Sequence, residues 1–149
     1  MGLILATNKA TGFEECFESS TIRRIVTDRE SAGSIIYTHS YLPNRGRIFV
    51  NEDLSNLFAQ QDSALLDLGM VLVTLRSNSE QIILFSHNFD DKGVVDLKEN
   101  GVSVGSKVIQ KDSLPDFEVE EPLSVIYGYQ KAGVSLGFIN ITRKSDGEA

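Results

Sequence analysis

The side chains that could perform chemistry are few and lie far apart in the sequence. The chain has one cysteine, Cys16, and two histidines, His39 and His87. A cysteine becomes a nucleophile when a histidine base or a cation stabilises its thiolate. Cys16 instead follows Glu14 and Glu15, and acidic neighbours oppose the formation of a thiolate. We therefore predict that Cys16 is a small core residue and that the protein is not an enzyme.

Metal and cofactor sites also lack their usual spacing. Neither histidine has a partner at the intervals of known metal-binding motifs. Residues 88–93, NFDDKG, are rich in side-chain oxygens, but the distal glutamate of a calcium-binding loop is missing. Asn, Asp and Gly are common in turns, so an ordinary turn is predicted there. The sequence predicts neither a metal nor a cofactor.

An acidic segment is the first candidate for contact with a partner. Residues 112–121, DSLPDFEVEE, contain acids and no base, and prolines restrict regular structure around them. The candidate contact residues are Asp116, Glu118, Glu120 and Glu121. A basic groove on a partner would attract this strip and speed the encounter. The alternative is an exposed, solvated connector, which is the commoner role of like-charged runs.

A group of arginines is the second candidate. Arg23 and Arg24 lie in one predicted strand, and Arg45 and Arg47 flank a turn at Gly46. If the strands are neighbours, the four arginines form one patch that could pair with carboxylates, including the acidic strip of another copy. Such pairing would produce head-to-tail self-association. The alternative is ordinary surface pairing with nearby acids of the same chain.

Length, composition and charge restrict the class of protein. A chain of 149 residues, 41% of them hydrophobic, can bury one core. We predict a single β-rich domain over residues 1–142 and a flexible tail over residues 143–149. A net charge of −7 opposes binding to nucleic acid or to an anionic membrane. No secretory signal is recognised and no disulfide can form within the chain, which predicts synthesis in a cytoplasm.

Most of the chain has the composition of β-strands, because short runs of β-branched and aromatic residues alternate with turn-forming residues. The predicted strands are 3–7, 13–17, 21–28, 34–39, 47–50, 69–75 and 81–86, followed by two short edge strands or loop pieces at 94–97 and 106–110. A hairpin is predicted across residues 76–80. A second hairpin is predicted to join residues 123–130 to residues 134–142.

One helix interrupts this pattern. Leu54, Leu57 and Phe58 have helical spacing, and Asn51 is a suitable N-cap that two acids follow. The spacing predicts a helix over residues 52–61, which could continue to residue 66. No internal repeat is apparent. The predicted fold class is mainly β, with α+β as the alternative, and the predicted architecture is an antiparallel sandwich or partly open barrel.

The order of elements within residues 18–57 resembles that of small bacteriophage virion proteins. A strand over 18–27, a strand over 34–39 and the segment RIFVNEDLSNL over 47–57 give a β-β-β-helix pattern. The resemblance implies a component that decorates a capsid, or a connector or tail component. Such a component would self-assemble, contact a major structural protein and be located in the virion.

The sequence therefore predicts a non-enzymatic structural or assembly protein that acts through protein–protein contacts. It would be a homo-oligomer or part of a larger assembly. The alternative is an acidic inhibitor or immunity protein that covers the basic active site of a nuclease-like partner.

Overall fold

Antiparallel β-strands and two α-helices make up the computed structural model, which describes residues 3–39, 46–64, 69–111 and 114–129. The first half of the chain contains β1 (Leu3–Thr7), β2 (Glu14–Glu18), β3 (Ile22–Thr27), β4 (Ser34–Thr38), β5 (Arg47–Val50) and α1 (Leu54–Ala64). The second half contains β6 (Met70–Thr74), β7 (Gln81–Phe85), β8 (Phe89–Glu99), β9 (Val102–Gln110), β10 (Phe117–Val119) and α2 (Leu123–Tyr127).

The described strands form three antiparallel sheets. Their strand orders are β1-β2, β10-β9-β8 and β5-β4-β3-β7-β6. The last sheet contains strands from both halves of the chain, joined where β3 pairs with β7. The prediction of a mainly β, antiparallel fold is confirmed, and these sheets do not close into a barrel.

The two halves of the chain are copies of one structural module. Module 1 runs from β1 to α1, and module 2 runs from β6 to α2, with the same element order and a 3-10 turn after the second strand. The first hairpin, β1–β2, pairs Leu3 with Glu18, and the second hairpin, β6–β7, pairs Met70 with Phe85 at the equivalent place. The arrangement of elements is therefore duplicated within the chain, which the residue pattern did not reveal.

A carboxylate clasp recurs in both modules at the end of the first strand. Glu52 accepts hydrogen bonds from the backbone N–H of Thr7 (2.8 Å) and from its hydroxyl (2.9 Å). Glu121 accepts the same two bonds from Thr74, each 2.7 Å long. In both modules the glutamate stands just after the fifth strand, so the clasp joins the start of the module to its end.

A close approach of backbone next to each clasp requires glycine. Gly33 and Gly105 have φ angles of +105° and +140°, and a Cβ atom at either would overlap the carbonyl oxygen of Val50 or Val119 respectively. The serine that follows each glycine donates a hydrogen bond from its hydroxyl to the backbone carbonyl of the clasp glutamate. Positive φ and close contact together exclude any larger residue.

Two hydrophobic cores form, and the second hairpin contributes to both. The first core contains the inner residues of module 1, and the second core contains those of module 2. Met70, Ile83 and Phe85 project from the second hairpin into the first core, while Val71 and Leu84 project into the second core. Alternation along a strand sends neighbouring residues to opposite faces, so this hairpin is buried on both sides.

Helix α1 lies against the first strand of each module. The side chain of Gln60 bonds the backbone N–H and carbonyl of Leu5 at 2.9 and 2.8 Å. The buried side chain of Gln61 does the same for Met70 at 2.7 and 3.0 Å. Each glutamine amide takes the place of a neighbouring strand at an edge, because it offers one acceptor and one donor.

The structure corrects several predicted elements. Helix α1 begins at Leu54 rather than residue 52, because Asp53 and not Asn51 caps it, with its carboxylate accepting the N–H of Asn56. The short strands predicted at 94–97 and 106–110 are parts of the long pair β8–β9. Residues 117–119, expected in a connector, form β10.

The first strand of the predicted C-terminal hairpin, over residues 123–130, is not observed. Residues 123–127 form helix α2, although Val125, Tyr127 and Tyr129 alternate as in a strand. The helix follows Pro122, whose fixed φ suits the start of a helix, and it buries Ile126 in the second core. The predicted strand over 134–142 and the predicted tail over 143–149 lie outside the described residues.

Substitution of the paired glycines tests the duplicated backbone approach. We expect Gly33→Ala and Gly105→Ala each to lower the free energy of unfolding by more than about 2 kcal/mol, from positive φ and from overlap with a carbonyl oxygen. Gly46→Ala is the matched control, because a Cβ atom there meets nothing within 4 Å. Urea denaturation measures all three, and equal effects at the three sites would contradict the assignment.

Candidate protein interaction surface

The outer face of the first hairpin exposes apolar side chains beside the carboxylates of Glu14 and Glu18. Leu3 is 57% exposed and Leu5 is 45% exposed, and they face away from the first core. Cys16 lies opposite Leu5 in the strand pair and is also exposed. Residues that are directly opposite in an antiparallel pair share a face, so these three side chains form one surface. We call it the hairpin face.

The surface equivalent to the hairpin face can be identified in the second module. The positions equivalent to Leu3, Leu5 and Cys16 are Met70, Leu72 and Ile83 in the second hairpin. Met70 and Ile83 are fully buried in the first core, and Leu72 packs against it. The hairpin face therefore corresponds to a face that is covered by protein in the second module.

Cys16 is not the core residue that the sequence predicted. It alternates with Phe17, whose side chain takes the inward position, so the thiol points outward. The exposure of Leu3 and Leu5 on the hairpin face was not predicted from the sequence. The one sequence signal that could have revealed them is the match of the segment LILAT with MVLVT, the first strand of the second module.

The predicted arginine patch is only partly assembled. Arg24, Tyr37 and Arg47 are register partners across β3, β4 and β5, and therefore form one row on one face. The guanidinium of Arg24 lies 4.6 Å from the Tyr37 ring centre, and that of Arg47 lies 5.7 Å from the ring centre of Phe49. Burial, followed by the nearby charge of Arg23, lowers the pKa of Arg24.

The other two predicted arginines do not belong to this row. Arg23 lies at a register shift in β3, and its Nε atom is buried with no hydrogen-bond partner. Its backbone carbonyl accepts a bond from Asn88. Arg45 lies outside the described residues. Arg29, just after β3, forms an ion pair with Glu80 in the turn of the second hairpin at 2.5 Å.

The acidic strip is divided between structural and exposed roles. Glu121 forms the clasp with Thr74 and is no free contact residue. Asp116 accepts the backbone N–H of Gln110 at 3.1 Å, and Glu118 lies 3.6 Å from Arg76. Glu120 accepts a hydrogen bond from Ser79 at 3.3 Å. Asp116, Glu118 and Glu120 nevertheless remain exposed to solvent.

Equivalent edge positions of the two modules carry opposite charges. Ile48 of β5 pairs with Ile36, and Phe117 of β10 pairs with Val108 at the same place in module 2. The preceding residues, Arg47 and Asp116, are therefore equivalent. The edge of module 1 is basic and aromatic there, whereas the edge of module 2 is acidic.

The histidines occupy structural positions. His87 contacts the carbonyl of Ile22 through Nε2 at 3.2 Å, and its Nδ1 atom is buried with no partner. Burial lowers the pKa of His87 to about 4, despite its bond to Ile22. His39 donates its backbone N–H to Thr21. Within the described residues, no three His, Cys, Asp or Glu side chains converge to bind a metal.

Comparison of the chain with family models, with curated proteins and with solved structures gives no match. Among the described residues, no helix is long and apolar enough to cross a membrane.

A matched pair of substitutions tests the exposure of the hairpin face. Leu3→Asp should change the free energy of unfolding by no more than about 0.5 kcal/mol, because the side chain is solvated. Met70→Asp, at the equivalent position, should lower it by more than about 3 kcal/mol, because it buries an unpaired charge. Chemical denaturation of both variants provides the test, and similar losses would mean that Leu3 is buried.

His87 should make the fold sensitive to mild acid. The unfolded chain binds a proton at this histidine below about pH 6.5, whereas the folded chain does so only near pH 4. Stability contributed by neutral His87 is therefore lost as the pH falls from 6.5 to 4. We expect His87→Gln to remove about 1 to 3 kcal/mol of this loss. Unfolding curves of wild type and His87→Gln from pH 7.5 to 4.5 measure this difference. If the stabilities of the two proteins change in parallel with pH, His87 is not the cause.

Proposed function

We propose that this protein is a non-enzymatic structural or assembly component that acts through protein–protein contacts. The observation that carries the proposal is the hairpin face, an exposed and partly apolar surface whose equivalent in module 2 is buried against module 1. The fold thus already uses this surface type as an interface between modules. An exposed copy of an interface is a suitable place for a partner to bind.

The charges at the two module edges support the same function. Arg47 and Phe49 lie exposed on β5, while Asp116 and Glu118 lie exposed at the equivalent edge of module 2. Opposite charges at the edges of the two modules would attract the unlike edges of two copies. This attraction speeds and orients encounter more than it strengthens the final complex, and salt weakens it.

We place this function in a bacteriophage virion, as a capsid-decorating, connector or tail component. The support is the resemblance of residues 18–57 to small virion proteins. The β-β-β-helix order that carries it occurs twice, as β3-β4-β5-α1 and as β8-β9-β10-α2. Duplicated modules suit a protein that makes repeated contacts within an assembly.

The second candidate function is an acidic inhibitor or immunity protein. The exposed carboxylates of Asp116, Glu118 and Glu120 favour it, because they lie close together along a chain of net charge −7. Such a protein would be a monomer that binds one basic partner and releases it in salt.

The mass of the purified protein in solution tests the proposal. Light scattering and sedimentation velocity over a range of concentrations should show species above the monomer mass of 16.4 kDa, with a larger fraction at low salt. Leu3→Asp should lower the associated fraction at least about tenfold, since it places a charge on the hairpin face. Sedimentation with virions from the source tests the placement in a particle.

Leu57→Ala is the control for a general loss of stability, because Leu57 is buried in the first core and away from the hairpin face. It should lower stability by about 2 to 5 kcal/mol while leaving association intact at low temperature. A protein that stays monomeric at every concentration and does not sediment with particles would contradict the proposal. Salt-sensitive binding of one basic protein by that monomer would support the inhibitor.

A further inference from the structure

We propose that the outer face of strands β3, β4 and β5 binds the acidic strip of a second copy of this chain. This inference rests on the proposed assembly function and adds to it a contact surface that is separate from the hairpin face. The contact is heterologous, because the two surfaces that meet are different parts of the chain.

The receiving surface consists of outward side chains of these three strands, and we call it the sheet face. Its members are Arg24 of β3, Ile35 and Tyr37 of β4, and Arg47 and Phe49 of β5. The residues on β3 and β4 are half-buried, whereas Arg47 is exposed and Phe49 is 37% exposed. The sheet face is therefore most accessible at β5, the edge strand of the five-stranded sheet.

Module 2 covers only part of this side of the five-stranded sheet. Val73, Ile82, Val26, Ile35 and Phe49 are successive register partners and form one apolar row across all five strands. Val73 and Ile82 belong to the second core, and Val26 packs against it. Ile35 and Phe49 continue the row beyond that core, so the sheet face is the part of this side that module 2 leaves uncovered.

The fold of the module does not require apolar residues on this face. By register, the equivalents of Ile35 and Phe49 in module 2 are Lys107 and Glu118. A sheet face in contact with water commonly carries polar residues, and module 2 follows this rule. Module 1 has apolar side chains at the same two places of the same strand arrangement. Exposed apolar residues of this kind indicate a binding surface.

The two arginines of the sheet face determine the charge of its partner. Arg24 lies over the ring of Tyr37, and Arg47 lies over the ring of Phe49. In the part of the chain that the structure describes, no ion pair includes Arg24 or Arg47, although acids outnumber bases by 21 to 14 in the whole chain. A guanidinium over a ring still presents N–H donors at its edge to a carboxylate. The partner is therefore expected to be acidic.

The acidic strip provides carboxylates in a matching arrangement. Asp116, Glu118 and Glu120 alternate along β10 and the residue after it, so their side chains lie on one side of the strand. All three are exposed, and the side chain of Glu118 is 54% exposed. The contacts of Glu118 and Glu120 with their own chain are 3.6 and 3.3 Å long. Carboxylate oxygens of the strip therefore remain available to a guanidinium of another copy.

The sheet face and the acidic strip carry opposite charges at equivalent positions. Arg47 is equivalent to Asp116, and Phe49 is equivalent to Glu118. Contact between unlike surfaces brings arginines to acids, whereas contact between like surfaces would bring equal charges together. Arg47 of one copy faces Glu118 of another, because Arg47 is the exposed arginine of its surface and Glu118 is the central acid of the strip. Repetition of this contact gives a ring or a filament.

Exchange of one charge between the two surfaces tests the contact. Arg47→Glu and Glu118→Arg each bring like charges together, so each should lower the associated fraction at low salt at least about fivefold in sedimentation velocity. The double variant Arg47→Glu/Glu118→Arg has the opposite charges again, with their places exchanged. It should associate within about twofold of wild type. An equimolar mixture of the two single variants should recover association in the same way.

The matched control has the same net charge but does not restore the contact. Arg47→Glu changes the net charge by −2 and Glu30→Arg changes it by +2, so the variant that combines them keeps the wild-type value of −7. Glu30 is exposed in the loop between β3 and β4. This control should associate as weakly as Arg47→Glu alone. Circular dichroism and the urea midpoint establish that every variant is folded.

The apolar part of the sheet face has its own test. Phe49→Gln should lower the associated fraction at least about threefold at high salt as well as at low salt, because burial of an apolar side chain is not screened. Val102→Gln is the control, since Val102 is 63% exposed and lies outside both surfaces. It should leave association unchanged.

Three results overturn the inference. They are unchanged association of Arg47→Glu, equal association of the double variant and its Glu30 control, and a monomeric wild type that loses particle binding in Arg47→Glu. The last result would place a different protein on the sheet face. If Leu3→Asp abolishes association while the charge variants leave it intact, the assembly function stands and the contact described here is wrong. If wild type neither associates nor binds particles, the assembly function itself fails.

Discussion

Burial of the second hairpin on both faces is the constraint on which the rest of the structure depends. Strands β6 and β7 send alternate side chains into two different cores, so every residue of β7 after Gln81 is buried. A strand with two buried faces needs apolar residues at successive positions, and IILF supplies them. Pairing of β7 with β3 then fixes the relative position of the two modules. In the first hairpin, Cys16 and Glu18 stand where the second hairpin has Ile83 and Phe85, and Cys16 is exposed.

The features that the two modules share most closely are hydrogen bonds between polar side chains and the backbone. Glu52 and Glu121 each close a module by bonding the threonine at the end of its first strand. Hydrogen bonds from Thr7 outweigh the opposing effect of burial, which would raise the pKa of Glu52, and keep that pKa below its ordinary value. The carboxylate is therefore charged at neutral pH, when it accepts these bonds most strongly. The sequence of the core varies between the modules, whereas this clasp and its neighbouring glycine and serine do not.

The strands of the first module and the β6–β7 hairpin could be predicted because their apolar residues follow a clear period. Helix α2 could not, since Val125, Tyr127 and Tyr129 alternate like a strand, whereas the features that favour the helix are Pro122 at its start and burial of Ile126. Arg24 and Arg47 lie in one row, but their strands are not the neighbours that the sequence analysis required, because β4 lies between β3 and β5. The hairpin face could not be found, since exposure of Leu3 depends on what the other module covers. The duplication was missed because equivalent positions share few residues beyond those that bond the backbone.

The adjacent glutamines of α1 have a consequence for how the chain unfolds. Gln60 holds the first strand of module 1 and Gln61 holds the first strand of module 2, from successive positions of one helix. Melting of α1 therefore releases both strands at once, and it also uncovers the side of the second hairpin that lines the first core. Neither module can open without exposing apolar surface of the other. The two modules are thus expected to share one cooperative transition, as a single folding unit built from a repeated arrangement of elements.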